Sequence, residues 1–273
     1  MSFVFWTRWS LKDLSFLLVT LALIAFLGLA ARLLPDVSNA GVLMLWLLVA
    51  AALTVPLLWK ARRKRRGVLK AFVRPRSPLY RWLRGGVLML LLRFSLALVL
   101  SAVLLTGLAR MEAVALFWLA LLLAPLWVKL HGLVRGRLVH HVQRYFLVYI
   151  TAQWLFWGTG MGVLVAIGIL GFYTPVPDLQ EVELASALAW STRQVSVYSP
   201  WLGELLALLT VLETTLYWLA QNLARDTIWL LKLLIWGILI LRDWLFIWPL
   251  LLLLQLGYIG VYDRDRHRHE HRD

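Results

Sequence analysis

Apolar residues fall in runs of about twenty, separated by short polar punctuation, and this spacing recurs along most of the chain. A helix needs about 20 mostly apolar residues to cross the hydrocarbon of a bilayer. Leu14–Leu34 is the first such run, followed by the turn Pro35-Asp36-Val37-Ser38-Asn39. Ala40–Trp59 is the second, Gly86–Ala109 the third, Ala113–Val128 a shorter fourth and Phe146–Phe172 the fifth. The pattern predicts an all-α, polytopic integral membrane protein. Residues 1–145 read as two transmembrane hairpins with basic loops, and 146–200 as the fifth span with a loop beyond it.

That loop is not fully polar. Val182, Ala185, Leu188, Ala189 and Val195 recur at roughly helical spacing, bracketed by Pro175, Pro177 and Pro200. A short amphipathic helix lying on a surface fits this pattern. Residues 201–262 hold two further apolar stretches, and 263–273 a charged, His-rich tail. Trp201–Asn222 is apolar enough to cross, yet it contains Glu204, Thr210, Glu213, Thr214, Thr215, Gln221 and Asn222. Thr227–Tyr262 is far longer than a bilayer core requires and is interrupted by Lys232 and Arg242-Asp243. If Trp201–Asn222 crosses there are seven spans. If it lies in the interface there are six, and the polar residues favour six.

The first two hairpins resemble one another. Gly28-Leu29-Ala30-Ala31-Arg32 closes span one and Gly107-Leu108-Ala109-Arg110 closes span three. Pro56 and Pro125 each stand four residues before the first basic residue after spans two and four. The match is compatible with a tandem two-helix repeat in parallel orientation.

Composition agrees with lipid as the solvent: 62% of the 273 residues are hydrophobic and only 15% charged. Soluble domains are closer to half apolar and a quarter charged. Sixteen Trp residues suit the membrane interface, where the indole ring is half apolar and its N–H can stay wet. With no cysteine, disulfides, thiolate chemistry and cysteine-ligated metal centres are excluded. The charged start (Arg8, Lys12, Asp13) leads into an apolar run without a small-residue cleavage site, which reads as a retained first span.

Charge sets the orientation. Between Lys60 and Arg84 there are eleven Lys or Arg and no acid, and four more basic residues lie in Lys129–Arg144. Basic loops beside spans mark the cytoplasmic side. The N-terminus is therefore expected in the cytoplasm of a prokaryotic cell, with the protein in its cytoplasmic (inner) membrane. The basic loop, led by Lys60, Arg62, Arg63, Lys64, Arg65 and Arg66, is expected to sit on anionic lipid headgroups or dock an acidic partner. Few aromatics interleave the run and no folded domain carries it, so a nucleic-acid partner is not expected.

The candidate chemistry is sparse. Glu204, Glu213, Lys232, Arg242 and Asp243 are ionisable groups within apolar stretches, where charge is costly and often functional. Glu204 and Glu213, nine residues apart, point in nearly opposite directions on a helix and cannot form one carboxylate pair. Lys232 and Asp243 share a face at two levels of a polar seam. Gly158, Gly162 and Ala166 form a small-residue stripe of the kind that admits a close helix neighbour, and Gly158-Thr159-Gly160-Met161-Gly162 lacks the context of a phosphate loop. His267, His269 and His271 alternate with charged residues in the tail, where a weak metal site is conceivable but nothing rigid positions it. No cofactor is expected.

With no catalytic constellation in view, the expectation is a non-enzymatic membrane subunit or scaffold that binds other membrane proteins through helix faces and its basic loop. The first alternative is a transporter or channel subunit using the five intramembrane ionisable residues. The second is a lipid-modifying enzyme using His140, His141 and nearby arginines.

Overall fold

Ser10 starts the first helix. Its hydroxyl accepts from the Asp13 amide while the Asp13 carboxylate accepts from the Ser10 amide, a capping box that satisfies two otherwise orphaned donors. The structure, a computed structural model, describes residues 10–72, 87–110, 113–171, 178–223 and 229–262. Among these there is no strand. The helices are α1 Leu11–Leu33, with a 3-10 turn Leu34–Asp36, α2 Asn39–Phe72, α3 Val87–Arg110, α4 Ala113–Leu138 and α5 Arg144–Gly171. They are followed by α6 Leu184–Arg193, α7 Pro200–Trp218, which runs on through a π-helical turn Leu219–Leu223, and α8 Trp229–Tyr262. The protein is an all-α polytopic membrane protein. Six helices among the described residues are long and apolar enough to span: α1, α2, α3, α5, α7 and α8. The 26-residue α4 also runs the length of the bundle, from a start three residues beyond Arg110 past His131, which lies beside Tyr262.

The helix at the centre is α8. Ile247, Leu250 through Leu254 and Tyr258 are all buried, and a helix covered on every side is one that other helices surround. α1, α2, α3 and α5 pack directly on it. Around it α1 lies along α4 and α3, α4 along α5, and α2 along α3. The ring closes where Trp59 of α2 meets Tyr149 of α5, ring centres 5.8 Å apart. Helices joined by short turns are thus paired with others: α1 with α4, and α2 with α3.

Close approach to α8 is made possible by two glycines. The Cα hydrogen of Gly107 faces the Phe246 ring, and that of Gly160 faces Trp244 and Leu251. Trp244 also stacks on Trp157 at 5.3 Å. Among the described residues the small-residue stripe expected to pack a helix meets none. Gly158 and Gly162 have nothing within reach of an added methyl, and both are exposed together with Ala166. The helix contact is made by Gly160, two positions from Gly158 and Gly162 and about 160° round the helix from them, because a helix apolar on all sides does not reveal by sequence which face turns inward.

The basic stretch also differs from the expected loop. α2 is 34 residues long and carries Lys60, Arg62, Arg63, Lys64, Arg65 and Arg66 as helix. Lys, Arg, Leu and Ala are strong helix formers, and no proline interrupts the sequence before Pro75. In α6 the buried residues are Ala187 and Ser191, while Ala185 and Ala189 of the expected apolar stripe are exposed. The helix turns that face toward α7, on which it packs.

Two polar levels mark the ends of the bundle. At one, the Tyr262 hydroxyl donates to Asp13 and the His131 ring lies 4.4 Å from that of Tyr262. At the other, Arg110 ends α3 beside Arg242 of α8. Tyr262 is 20 positions beyond Arg242 in the same helix, about 30 Å along its axis and equal to the thickness of a bilayer hydrocarbon core.

Candidate functional site

Glu213 projects from the middle of α7 into a gap between the end of α3 and the upper part of α8. Its Oε2 receives Nη1 of Arg110 at 2.6 Å, and its Oε1 receives Nη1 of Arg242 at 3.2 Å. Arg110 donates its second nitrogen to the Leu206 carbonyl at 3.0 Å and to the Thr210 hydroxyl. Arg242 donates through Nε and Nη2 to Oδ1 of Asp243, at 2.9 and 2.7 Å. Two guanidiniums and two carboxylates therefore balance in charge, joining α3, α7 and α8. Each side chain is about a quarter to a third exposed, so the cluster lies at the rim of the bundle and not at its middle.

The path of α7 explains this position. Ser199, its N-cap, donates to the Asn39 carbonyl at the start of α2, and the Tyr198 amide donates to the Pro35 carbonyl at 2.8 Å. At the far end Asn222 donates to the Leu179 carbonyl at 2.9 Å and accepts from the Glu181 amide at 3.1 Å. The Trp218 indole donates to the Val182 carbonyl at 2.7 Å. α7 has the length of a span, yet it starts at the end of the bundle where α2 begins, and runs past Arg110 and Arg242 beside the upper part of α8, with residues 178–182 bonded at its far end. The π-helical turn brings Gln221 and Asn222 round to the 178–182 loop, where Glu181 holds a left-handed backbone (φ 61°) against Asn222.

The other candidates are scattered. Glu204 is exposed, on the side of α7 away from Glu213, as their nine-residue spacing requires. Asp243 is bound by its neighbour Arg242. Lys232 and Arg66 are in helices, but their side chains lie outside the described residues, as do His267, His269 and His271 altogether. His140 and His141 are exposed in the turn after α4. Among the described residues no group of three His, Asp or Glu is placed to hold a metal ion. Lys60 points its ammonium at the Phe156 ring, 3.7 Å from the centroid.

Sequence reasoning missed Arg110, which looked like a turn residue, since nothing in its neighbourhood signals a partner 103 positions away. It also missed Gln255, which is fully buried in the last two turns of α8, with neither polar side-chain atom bonded among the described residues. Its signal was present: one amide inside an otherwise apolar run. No family model matches the chain, and neither a curated protein nor a solved structure matches it.

Proposed function

We propose that this chain is a non-enzymatic subunit of a larger membrane protein complex in a prokaryotic cytoplasmic membrane. The N-terminus and the basic extension of α2 are cytoplasmic in this reading, and α7 lies at the outer face. One observation carries it. The upper part of α8 and the second half of α7 form a projection beyond the Arg110–Glu213–Arg242 rim, held together by Leu216, Ile235 and Leu239. Among its described residues Leu234, Ile238 and Leu241 form an exposed apolar i, i+4, i+7 stripe. Leu234 is 60% exposed and sits 28 positions from Tyr262, about 42 Å along the helix. Lipid hydrocarbon extends about 30 Å, so acyl chains do not cover these residues. Apolar stripes at helical spacing outside lipid are the faces by which helices dock on protein.

The transporter reading is less well supported. Its candidate groups are paired with each other at a rim, and the centre of the bundle is filled by Leu250 through Leu254. Grooves of about 220 Å³ on the bundle are lined by Leu23, Phe26, Leu27, Leu48 and Leu253, or by Phe26, Leu33, Leu34 and Leu45, all apolar.

Site-specific photo-crosslinking in the native membrane tests the proposal. A photoreactive residue at Leu234 or Ile238 is expected to capture one protein partner, whereas the same residue at Leu91, exposed on the membrane-facing side of α3, captures lipid. If Leu234 and Leu91 both gave only lipid adducts, the subunit reading would be abandoned.

A further inference from the structure

We infer that the seam where the cytoplasmic parts of α2 and α5 meet is a discrete site for one anionic phospholipid, with Lys60 as its phosphate contact. This goes beyond a diffuse attraction of the basic stretch to a charged surface. It rests on the membrane placement above and not on the existence of a protein partner.

The starting point is the direction of the Lys60 side chain. Side chains lean toward the N-terminus of their helix, and Lys60 stands where α2 leaves the apolar part of the bundle. Its ammonium is therefore carried back toward hydrocarbon, away from the exposed Arg62, Lys64 and Arg65. There it lies 3.7 Å from the centroid of Phe156 on α5. Among the described residues no carboxylate pairs with it, and Asp13, the acid at this end of the bundle, is engaged by Ser10 and Tyr262. A ring face offsets only part of the cost of holding an ammonium at that depth. An anion completes the site.

The walls say which anion. Trp59 and Tyr149 meet where α2 and α5 approach, both half-buried, and the Arg63 guanidinium lies 4.8 Å over the Trp59 ring. Tryptophan and tyrosine sit at headgroup level, with an apolar ring against the glycerol and acyl region and a polar tip in contact with water. Arg63 over Trp59 and Lys60 over Phe156, two cations at one seam, fit a phosphodiester whose acyl chains run along α5. A headgroup with its own ammonium would be repelled by Lys60 and Arg63, so the lipid is one with net negative charge.

Native mass spectrometry on protein extracted from membranes of equal phosphatidylglycerol and phosphatidylcholine tests this directly. One phosphatidylglycerol is expected to remain bound through delipidation, in preference to phosphatidylcholine. Lys60→Met should lower its occupancy about tenfold, the effect of losing one charge-assisted contact. Lys60→Arg should keep it, and the double variant Arg62→Gln, Lys64→Gln, which alters only exposed cations, should keep it too. Excess inorganic phosphate should leave the lipid in place. Equal retention by Lys60→Met and the unaltered chain overturns the proposal, as does displacement by inorganic phosphate or equal retention of the two lipids. Retention by Lys60→Arg separates loss of the charge from a failure of the Met variant to fold.

Discussion

Glu213→Gln is expected to destabilise the protein by about 2 kcal/mol, seen as a fall of about 4–8 °C in the thermal melt of the detergent-solubilised chain. The glutamate carboxylate lies between two guanidiniums, at 2.6 Å from Arg110 and 3.2 Å from Arg242. An amide of the same shape removes the negative charge and leaves two cations facing each other with only Asp243 between them. Arg110 keeps its bonds to the Leu206 carbonyl and Thr210 but loses its one carboxylate in the cluster. Breaking a fully buried pair costs about 3–5 kcal/mol, and the 28% exposure of the Glu213 side chain lets water recover part of that. Glu204→Gln, on the exposed side of the same helix, is expected to leave the melt unchanged. Equal melts for the two variants would mean that the cluster does not hold α7 to α3 and α8. Loss of solute flux with an unchanged melt would return the transporter reading to first place.

The larger effect belongs to Gly107→Val. A methyl built on Gly107 would lie 2.1 Å from two carbons of the Phe246 ring. The ring belongs to the central helix and cannot move without displacing it. Overpacking of this kind costs about 3 kcal/mol or prevents assembly. The variant is expected to lose most of its yield as a monodisperse species on size-exclusion chromatography. Gly158→Ala and Gly162→Ala, whose added methyls meet nothing within 4 Å, are expected to match the unaltered chain. The reverse ranking would place the helix contact on the small-residue stripe and rotate α5 in the bundle.

What sequence could reveal followed from how each feature is encoded. The spans are written in the length of apolar runs, so Gly86–Ala109 was located to within one residue at each end of α3, and Leu14–Leu34 to within a turn of α1. The helical nature of Lys60–Phe72 was available in its composition, but the density of charge drew attention to its surroundings and away from its backbone propensity. Rotation was not available. With apolar residues on every side, nothing distinguishes Gly160 from Gly158 or Gly162. Pairing was not available either, because α1 against α4 and α2 against α3 depend on contacts between helices of nearly uniform composition. Arg110, Glu213 and Arg242 each stood out as a charge in or beside an apolar run. That they meet depends on α7 starting beside Asn39 and running past the end of α3 along the upper part of α8, which the polar residues of Trp201–Asn222 hinted at and the bonds of Ser199 and Thr210 bring about.

The proposed position of the membrane, between the Asp13–Tyr262 level and the Arg110–Arg242 level, underlies both the proposed partner-binding projection and the proposed lipid site. Single-cysteine accessibility in this cysteine-free chain tests it most directly, using a membrane-impermeant maleimide on intact cells and on permeabilised ones. Cysteines replacing Ser38, Ser186 and Glu204 should react in intact cells. Cysteines replacing Gly67 and His141 should react only after permeabilisation, and one replacing Leu91 should stay unreactive in both. Labelling of the Gly67 position in intact cells, or protection of the Glu204 position there, would contradict the arrangement.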